Sequence, residues 1–233
     1  MSDWIWALII GFVLDLLLGD PSWLYHPVCL IGKYIGWMEK KLRRRGGNLR
    51  KSAVFLTAST VLLTMAFVAL ILMLCGLLGR IPLLIAMALL DWMGIAITSM
   101  AKEARGVEKA LGQGVAAGRT QVARIVGRDT QELREEEIIK ATVETVSENT
   151  TDGVISPLLY AAIGGPILLW GFKAASTLDS MVGYLDEKYR DIGWSSARLD
   201  DVLNYIPARL TALLMVIASY LICLLYTSPS PRD

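Results

Sequence analysis

Residues that build disulfides, thiolate metal sites and histidine-based sites are scarce in this sequence. The 233 residues include three cysteines and one histidine. Cys29, Cys75 and Cys223 show no C-x-x-C spacing, and two of them lie in apolar runs, where a thiol acts as a small hydrophobe. No disulfide framework or zinc site is therefore implied. The lone His26, in a proline-punctuated loop, is more typical of a structural residue than of a catalytic one.

An excess of one charge and the common nucleotide-binding signatures are also missing. The 23 basic residues nearly balance the 22 acidic ones, and a net charge of +1 argues against a nucleic acid as partner. The chain contains no Walker A loop, dinucleotide fingerprint or nucleophile elbow, so a nucleotide site here must be of another kind. The apolar start lacks a basic leader and a cleavage motif, so we expect it to remain as an anchor.

Long apolar runs are abundant. Hydrophobic residues make up 54% of the chain and the mean hydropathy is +0.49, values typical of a protein in lipid. A spanning helix needs about 20 mostly apolar residues. Runs that approach or exceed this length lie at residues 4–18, 52–79, 81–101, 155–172 and 207–226. We therefore predict an all-α fold, a polytopic membrane helical bundle with cytosolic amphipathic helices.

Two of these runs contain a carboxylate, and another contains a helix-breaking triplet. Asp15 lies in the first run and Asp91 in the third. A charged side chain inside the bilayer costs about 2.5 to 3.5 kcal/mol on insertion scales, so each aspartate needs a partner or a water-filled cavity. The run at 155–172 is interrupted by Gly164-Gly165-Pro166 and is expected to be tilted, broken or re-entrant.

Three polar segments, 19–51, 102–154 and 173–206, alternate with these runs in a single membrane domain, residues 1–225. The first segment is strongly basic, which predicts that it faces the cytoplasm of a multi-pass inner-membrane protein. Its cations are Lys33, Lys40, Lys41, Arg43, Arg44, Arg45, Arg50 and Lys51. The second polar segment lies two spans later and is therefore also cytosolic. The closing residues 226–233 have no apolar pattern and are interpreted as a non-native tail.

The Gly-Gly-Pro triplet leaves two topologies open for the third polar segment. If the run around it spans the membrane fully, residues 173–204 lie on the outer side. If the run dips into the membrane and returns, both long polar segments share one side. We favour the second topology, because a site made from both segments requires it.

Oxygen ligands cluster at the end of the second polar segment. An amphipathic helix is predicted there, with one apolar stripe and an opposite polar face. The stripe consists of Ile138, Ile139, Thr142, Val143 and Val146, and the oxygen-bearing residues are Glu137, Glu144, Glu148, Asn149 and Asp152. Such oxygens suit Mg²⁺, which uses one or two carboxylates and completes its shell with water and phosphate. The alternative is an ordinary solvated helix face.

Charges of both signs crowd into the third polar segment. Its members are Lys173, Asp179, Asp186, Glu187, Lys188, Arg190, Asp191, Arg198, Asp200, Asp201, Asn204 and Arg209. If residues 198–205 are helical, Arg198 and Asp201 are i,i+3 neighbours, while Asp200 and Asn204 are i,i+4 neighbours. That arrangement gives one basic edge and one edge suited to a metal. The alternative is a surface network of salt bridges.

Several motifs resemble the adenosylcobinamide-phosphate synthase family of cobalamin biosynthesis. They are LGDP at 18–21, HPV at 26–28, IVGRDT at 125–130, VET at 143–145, ENTTDGVISP at 148–157, TLDSMVGY at 177–184 and RLDDVLNYIPAR at 198–209. The resemblance runs in order from residue 14 to about residue 214. Family members continue beyond the span that begins near Pro207, whereas this sequence stops, so we expect the chain to be truncated.

The resemblance implies an activity, its cofactors and its partners. The family joins adenosylcobyric acid, a corrinoid carboxylate, to aminopropanol or its O-phosphate through an amide bond, at the expense of ATP and with Mg²⁺. Activation of the carboxylate as an acyl phosphate spreads charge that Mg²⁺ and Arg or Lys must stabilise. Expected partners are therefore the corrinoid, the amine and membrane lipid, and association with other enzymes of the pathway is a further expectation.

The roles of individual residues are hypotheses. The catalytic set is Glu144, Glu148, Asp179, Asp200 and Asp201. The set that binds the nucleotide is Lys173, Arg190, Arg198, Asn204 and Arg209. The set that holds the metal is Glu148, Asn149 and Asp152.

Two other functions stay open. A membrane transport component for a corrinoid or another large solute should show inverted repeats with paired broken helices, and no internal repeat is visible in the sequence. A lipid-modifying transferase of the aspartate-rich prenyl type should carry a D-x-x-x-D pair, and no two aspartates have that spacing.

Overall fold

The computed structural model describes residues 3–21, 25–127, 129–184 and 186–221, and the regular structure within them is helical. The helices are α1 (Asp3–Leu18), α2 (Pro27–Arg45), α3 (Leu49–Leu77), α4 (Arg80–Gly94), α5 (Ile97–Leu111), α6 (Val115–Val122), α7 (Glu135–Thr150), α8 (Ser156–Val182) and α9 (Trp194–Leu221), with a π-helical turn (Thr151–Ile155) between α7 and α8. This architecture confirms the predicted all-α class. The predicted tail, 226–233, lies outside the described residues.

Four stretches are long and apolar enough to cross a membrane, judged by length and composition over the described residues. They are Leu49–Leu77, Arg80–Leu111, Glu135–Val182 and Trp194–Leu221. The first is helix α3, whose 29 residues correspond to about 43 Å, which exceeds the ~30 Å hydrocarbon core. Its N-terminus is capped by Asn48, whose side-chain oxygen accepts from Arg50 N at 3.0 Å and Lys51 N at 3.2 Å. The chain is therefore a multi-pass membrane protein.

Helices α1 and α4 cross at Gly11. A Cβ atom at this position would lie 2.9 Å from the Ala88 carbonyl oxygen and 2.9 Å from the Asp91 Cβ. Only glycine allows the two backbones to approach this closely. At the far end of the same helix pair, Asp3 forms a salt bridge with Arg80 at 2.7 Å.

Helix α8 is a hairpin of two arms that turn at Gly164 and Gly165. Gly165 has φ +64°, a left-handed conformation that breaks the helix, and Pro166 starts the second arm. In one straight helix Asp152 and Ser176 would be separated by roughly 36 Å. Their side chains instead lie within hydrogen-bonding reach.

The two arms of α8 also pack against each other nearer the turn. The rings of Tyr160 and Phe172 stack at a centroid distance of 5.2 Å. The apolar stretch that leads into the turn, residues 154–163, is about 15 Å long, half of the ~30 Å hydrocarbon core. The chain therefore reverses within α8, and the two long polar segments meet. The re-entrant membrane topology that the sequence analysis favoured is consistent with this reversal and stays a prediction.

The two carboxylates in apolar helices have different surroundings. Asp15 is buried, and its Oδ2 accepts from the backbone nitrogens of Ile97 at 3.1 Å and Thr98 at 3.2 Å. It therefore caps the N-terminus of α5, where the orphan amides and the helix dipole favour a carboxylate. Asp91 is also buried, and neither of its carboxylate oxygens has a hydrogen-bond partner among the described residues.

The buried face of α7 differs from the predicted stripe. Ile138 and Ala141 are fully buried against Val107 and Val122 of the α5–α6 pair. Ile139 and Val143, by contrast, are 48% and 60% exposed. The prediction that these two residues share the buried stripe was therefore wrong. Successive helix positions differ by about 100°, and the packed face is centred between Ile138 and Ala141 rather than one position later.

Candidate functional site

The candidate site is a basin where four parts of the chain meet. These parts are Asp20 and His26 from between α1 and α2, the π-helical turn, the second arm of α8 and the first turns of α9. The π-helical turn presents Asp152 toward α9, because its wider spiral changes the direction in which a side chain points. Such π-turns are frequent at functional sites. Asp152 lies within hydrogen-bonding reach of Asn204 on α9 and Ser176 on α8.

Asn204 organises the α9 side of the basin. Its Nδ2 donates to Asp200 Oδ2 at 2.9 Å, and its Oδ1 accepts from the Ser156 hydroxyl at 2.7 Å. The contact between Asp200 and Asn204 is the i,i+4 pair expected for a helix over residues 198–205, which α9 contains. Because both ends of the amide are bonded, the orientation of Asn204 is determined.

Two carboxylate oxygens in the basin are buried without a hydrogen-bond partner in the part of the chain that the structure describes. They are Asp179 Oδ1 and Asp200 Oδ1. Asp179 interacts electrostatically with Asp152 and with Asp201, so several like charges face the same space. A buried carboxylate oxygen is costly unless it is bonded, and a cation between these groups would relieve both the missing bonds and the repulsion.

The donor chemistry of the basin fits Mg²⁺. Within the described ranges no group of three or more His, Cys, Asp or Glu side chains is placed to hold a metal ion by itself. Mg²⁺ does not require such a cage, because it binds through one or two carboxylates and takes its other ligands from water and substrate phosphates. The unpaired oxygens of Asp179 and Asp200, whose carboxylates interact electrostatically, are the candidate protein ligands for such an ion.

Lys173 supplies the positive charge of the basin. It is partly buried in the second arm of α8 and interacts electrostatically with Asp152 and Asp20. The Asp20 carboxylate accepts a hydrogen bond from the Ser99 hydroxyl, which connects it to the first turn of α5. A lysine that interacts with carboxylates from two segments of the chain is a candidate to bind an anionic substrate group in the basin.

His26 borders the same basin and caps α2. Its Nδ1 accepts from Val28 N at 3.2 Å, and its ring lies 6.3 Å from that of Trp170. Burial lowers the pKa of His26, Asp20 opposes this effect and Lys173 adds to it. A neutral imidazole that accepts at Nδ1 carries its proton on Nε2.

Three predicted residues lie in a different cleft. Glu144, Glu148 and Asn149 line an open cleft of about 350 Å³ on α7, together with Val126 and Gly127. The structure does not bring the predicted metal set to one point. Glu148 and Asn149 face this cleft, whereas Asp152 faces α9, although Asp152 and Glu148 still interact electrostatically. Arg128, which belongs to the motif beside the cleft, lies outside the described residues.

The three predicted arginines, Arg190, Arg198 and Arg209, are exposed, and their assignment to phosphate binding stays a prediction. The Arg209 guanidinium stacks 3.6 Å over the Tyr205 ring and donates to the Tyr205 carbonyl at 2.6 Å. The surface-network alternative applies to part of the segment, because Asp191 forms an exposed salt bridge with Arg50 at 3.1 Å.

Four residues of the basin had no predicted catalytic or binding role: Asp20, His26, Ser156 and Ser176. The first three lie inside motifs that the sequence analysis named, so their membership in these motifs could have identified them as site residues. Ser176 lies directly before such a motif. Its proximity to Asp152 depends on the α8 hairpin.

Comparison with known proteins gives consistent matches. The family model described as CobD/Cbib protein matches residues 8–231. The chain is 49% identical over 217 residues to cobalamin biosynthesis protein CobD of Pelobacter propionicus, covering 93% of this chain and 67% of that protein. It is 48% identical to CobD of Listeria monocytogenes serovar 1/2a, covering 91% and 68%, and 44% identical to CobD of Clostridium perfringens, covering 92% and 69%. The chain thus spans about two thirds of the length of these relatives. No solved structure matches it.

Proposed function

This chain belongs to the CobD/Cbib protein family, and from that membership we infer that it is a biosynthetic enzyme of the cobalamin pathway, as the names of its relatives state for them. We propose that its reaction is the ATP-dependent joining of adenosylcobyric acid to aminopropanol or its O-phosphate by an amide bond. The product is adenosylcobinamide or its phosphate. We place the reaction at the cytosolic side of the inner membrane.

One observation supports this proposal above the others. The basin combines two buried, unpaired carboxylate oxygens, on Asp179 and Asp200, with the cation of Lys173. Phosphoryl transfer needs this combination, because negative charge on the transferring group would be stabilised by a metal ion that the carboxylates hold and by a positive side chain. A structural salt-bridge cluster would pair these oxygens instead of leaving them without a partner.

The proposed reaction has two steps, phosphorylation of the corrinoid carboxylate and attack of the amine on the resulting acyl phosphate. A carboxylate oxygen of the corrinoid attacks the γ-phosphorus of ATP, and ADP leaves. The amine then attacks the activated acyl carbon, the amide bond forms, and phosphate leaves while the amine gives up a proton. Bound Mg²⁺ would withdraw charge from the phosphates during the first step.

Each basin residue has a proposed role in these steps. Asp179 and Asp200 each offer one oxygen to the metal, and Lys173 contacts a phosphate. Asn204 keeps Asp200 in place through the 2.9 Å hydrogen bond. The cleft at Glu144, Glu148 and Asn149 is open and polar, and it adjoins the basin through the interaction of Glu148 with Asp152. We propose that it receives part of the substrate.

The test is an activity assay on purified protein in detergent. ATP, Mg²⁺, adenosylcobyric acid and aminopropanol phosphate are supplied, while ADP release and the mass of the corrinoid product are followed. Amide product with ADP formed in equal amount supports the ligase. Repeating the assay with aminopropanol in place of aminopropanol phosphate, and comparing the two rates, identifies the preferred amine. Corrinoid binding without ATP turnover would contradict the proposal.

A transport component for a corrinoid or another large solute is the second candidate. The broken hairpin of α8 favours it, because discontinuous helices often line solute sites in transporters. Uptake of a labelled corrinoid into vesicles that contain the protein would support this candidate. Amide formation by protein in detergent, without a membrane gradient, would favour the enzyme.

A further inference from the structure

The C-terminal half of α2 carries a basic pocket away from the candidate site. The pocket has a volume of about 430 Å³ and is lined by Trp37, Lys40, Lys41, Arg44 and Arg45. The nearest acid along the helix, Glu39, is already in a salt bridge with Arg43 at 2.8 Å. The four cations of the pocket therefore face solvent together without neutralisation by this acid.

Helix stability does not account for this cluster. Lys40 and Arg44 lie one turn apart, as do Lys41 and Arg45, and like charges at that spacing destabilise a helix. The helix dipole favours cations in the last turn, which accounts for the two arginines but not for the lysines before them. The Lys41 ammonium lies 4.6 Å over the Trp37 ring, a contact that orients it without neutralising it. An anion in the pocket would remove the repulsion.

An apolar groove adjoins the basic pocket. It has a volume of about 400 Å³. Its lining residues are Pro27, Leu30, Ile31, Tyr34, Thr60, Leu63, Thr64, Phe67, Val68, Ile71, Leu90, Met93 and Trp170. Tyr34 of the groove and Trp37 of the pocket are in ring contact, with centroids 6.0 Å apart. The two cavities are therefore neighbours along one face of α2.

The depths of the two cavities in the membrane match the two parts of a phospholipid. The α3 residues of the groove, from Thr60 to Ile71, occupy the middle of the span Leu49–Leu77. The basic pocket lies at the end of α2, three residues before that span begins. Aromatic and basic side chains beside a span are typical of the level of the lipid head groups.

We propose that α2 and α3 bind one anionic glycerophospholipid. Its phosphate lies among Lys40, Lys41 and Arg44, and one acyl chain fills the groove beside Leu63 and Phe67. Clusters of four or more cations next to a membrane span attract anionic head groups. The groove also gives one acyl chain of the lipid a defined binding place, which attraction to a charged surface alone does not provide.

The head-group pocket of this lipid site is separate from the candidate site, whereas the groove reaches Pro27 and Trp170 beside His26. His26, at the basin, caps the N-terminus of α2, whereas the basic pocket lies at the opposite end of the same helix. The distance from residue 26 to residue 41 along a helix is roughly 22 Å. Lipid binding at the head-group pocket can therefore be tested independently of the ligase activity.

The experiment compares lipid binding by the full chain and matched variants. Purified protein in detergent is titrated with phosphatidylglycerol or phosphatidylcholine that have identical chains, and bound lipid is counted by native mass spectrometry. The test variant is Lys40→Gln with Lys41→Gln and Arg44→Gln. The control removes the same charge from exposed positions on α5, through Lys102→Gln, Arg105→Gln and Lys109→Gln. Thermal unfolding verifies that both variants fold.

The expected result is a preference of about tenfold or more for phosphatidylglycerol, which the α2 variant loses and the α5 variant keeps. Thr64→Phe, which fills the groove, should weaken binding of both lipids. Equal binding of the two lipids by the unaltered chain, or equal losses in the two charge variants, would overturn the proposal. Glycerophosphoglycerol, which has no acyl chains, should bind far more weakly than the lipid. If it binds as tightly, the pocket is a site for a free anion and the lipid proposal fails.

Discussion

The side chains of Asp152 and Ser176 lie within hydrogen-bonding reach across the two arms of the α8 hairpin. This contact connects the second polar segment of the chain to the third. It exists because the helix reverses at Gly164 and Gly165. The reversal places Asp152, Asp179 and Asp200 around one basin, so the hairpin is the feature on which the proposed chemistry depends.

Substitution of Gly165 should destabilise the protein. Gly165→Ala forces a side chain into φ +64°, and its Cβ would also lie 3.4 Å from the Trp4 Cβ. We expect a loss of about 1 to 2 kcal/mol in the free energy of unfolding. Gly36→Ala is the matched control, since a Cβ there meets nothing within 4 Å. Thermal unfolding in detergent measures both variants, and equal melting temperatures would contradict the role of Gly165.

Asp200→Asn should lower ATP turnover by about a hundredfold while expression and membrane insertion stay unchanged. The amide removes one charge from the proposed metal site but preserves the shape of the side chain. Glu187→Gln, at an exposed position in the loop before α9, is the control. ADP release in the ligase assay is the measurement. Unchanged turnover in Asp200→Asn would remove this residue from the catalytic set.

Removal of the metal should abolish turnover, and Asp179→Asn should raise the Mg²⁺ concentration that gives half-maximal activity. The reason is that the unpaired Oδ1 of Asp179 is a candidate ligand. A Mg²⁺ titration of ADP release, after treatment with a chelator, tests both statements. Full activity in excess chelator would exclude the metal role, and an unchanged half-maximal concentration would exclude Asp179 alone.

Asp15 should act as a helix cap. Asp15→Ala leaves the amides of Ile97 and Thr98 without their acceptor, and we expect a loss of about 1 to 2 kcal/mol in the free energy of unfolding. Asp15→Asn retains an acceptor oxygen and should lose less. The comparison is made by thermal or denaturant unfolding. Equal losses in the two variants would show that the charge matters rather than the cap.

The stability of the folded chain should fall as the pH falls through the titration of His26. Burial lowers the pKa of His26 below its ordinary value of 6.5, so the unfolded state binds a proton at a higher pH than the folded state does. The stabilising contribution is therefore present above about pH 6.5 and is lost as the pH drops through the folded pKa. Protonation also removes the Nδ1 acceptor that caps α2.

His26→Asn separates these effects, because asparagine caps a helix and does not titrate. Its melting temperature near pH 8 should be close to that of the unaltered chain, and it should depend less on pH between 8 and 5. His26→Ala, which has no cap, should be less stable at every pH. If the unaltered chain and His26→Asn show the same dependence, another group is responsible.

The amino-acid sequence by itself determined the class of the fold and the family of the chain. Apolar runs longer than a bilayer requires leave helices as the spanning structure, because backbone groups in lipid must be paired within the segment. Helical spacing was sufficient to predict that Asp200 and Asn204 are neighbours, since that contact is local. The motifs were sufficient to predict the family.

Only the tertiary structure decided which residues meet. The capping of α5 by Asp15, the interactions of Lys173 with Asp20 and Asp152, and the buried face of α7 all join segments that are distant in the chain. The sequence showed that the helix would break at Gly164-Gly165-Pro166 but left the direction of the chain after the break open. That direction follows from two backbone dihedral angles and from packing against neighbouring helices, and no periodicity in the sequence encodes these.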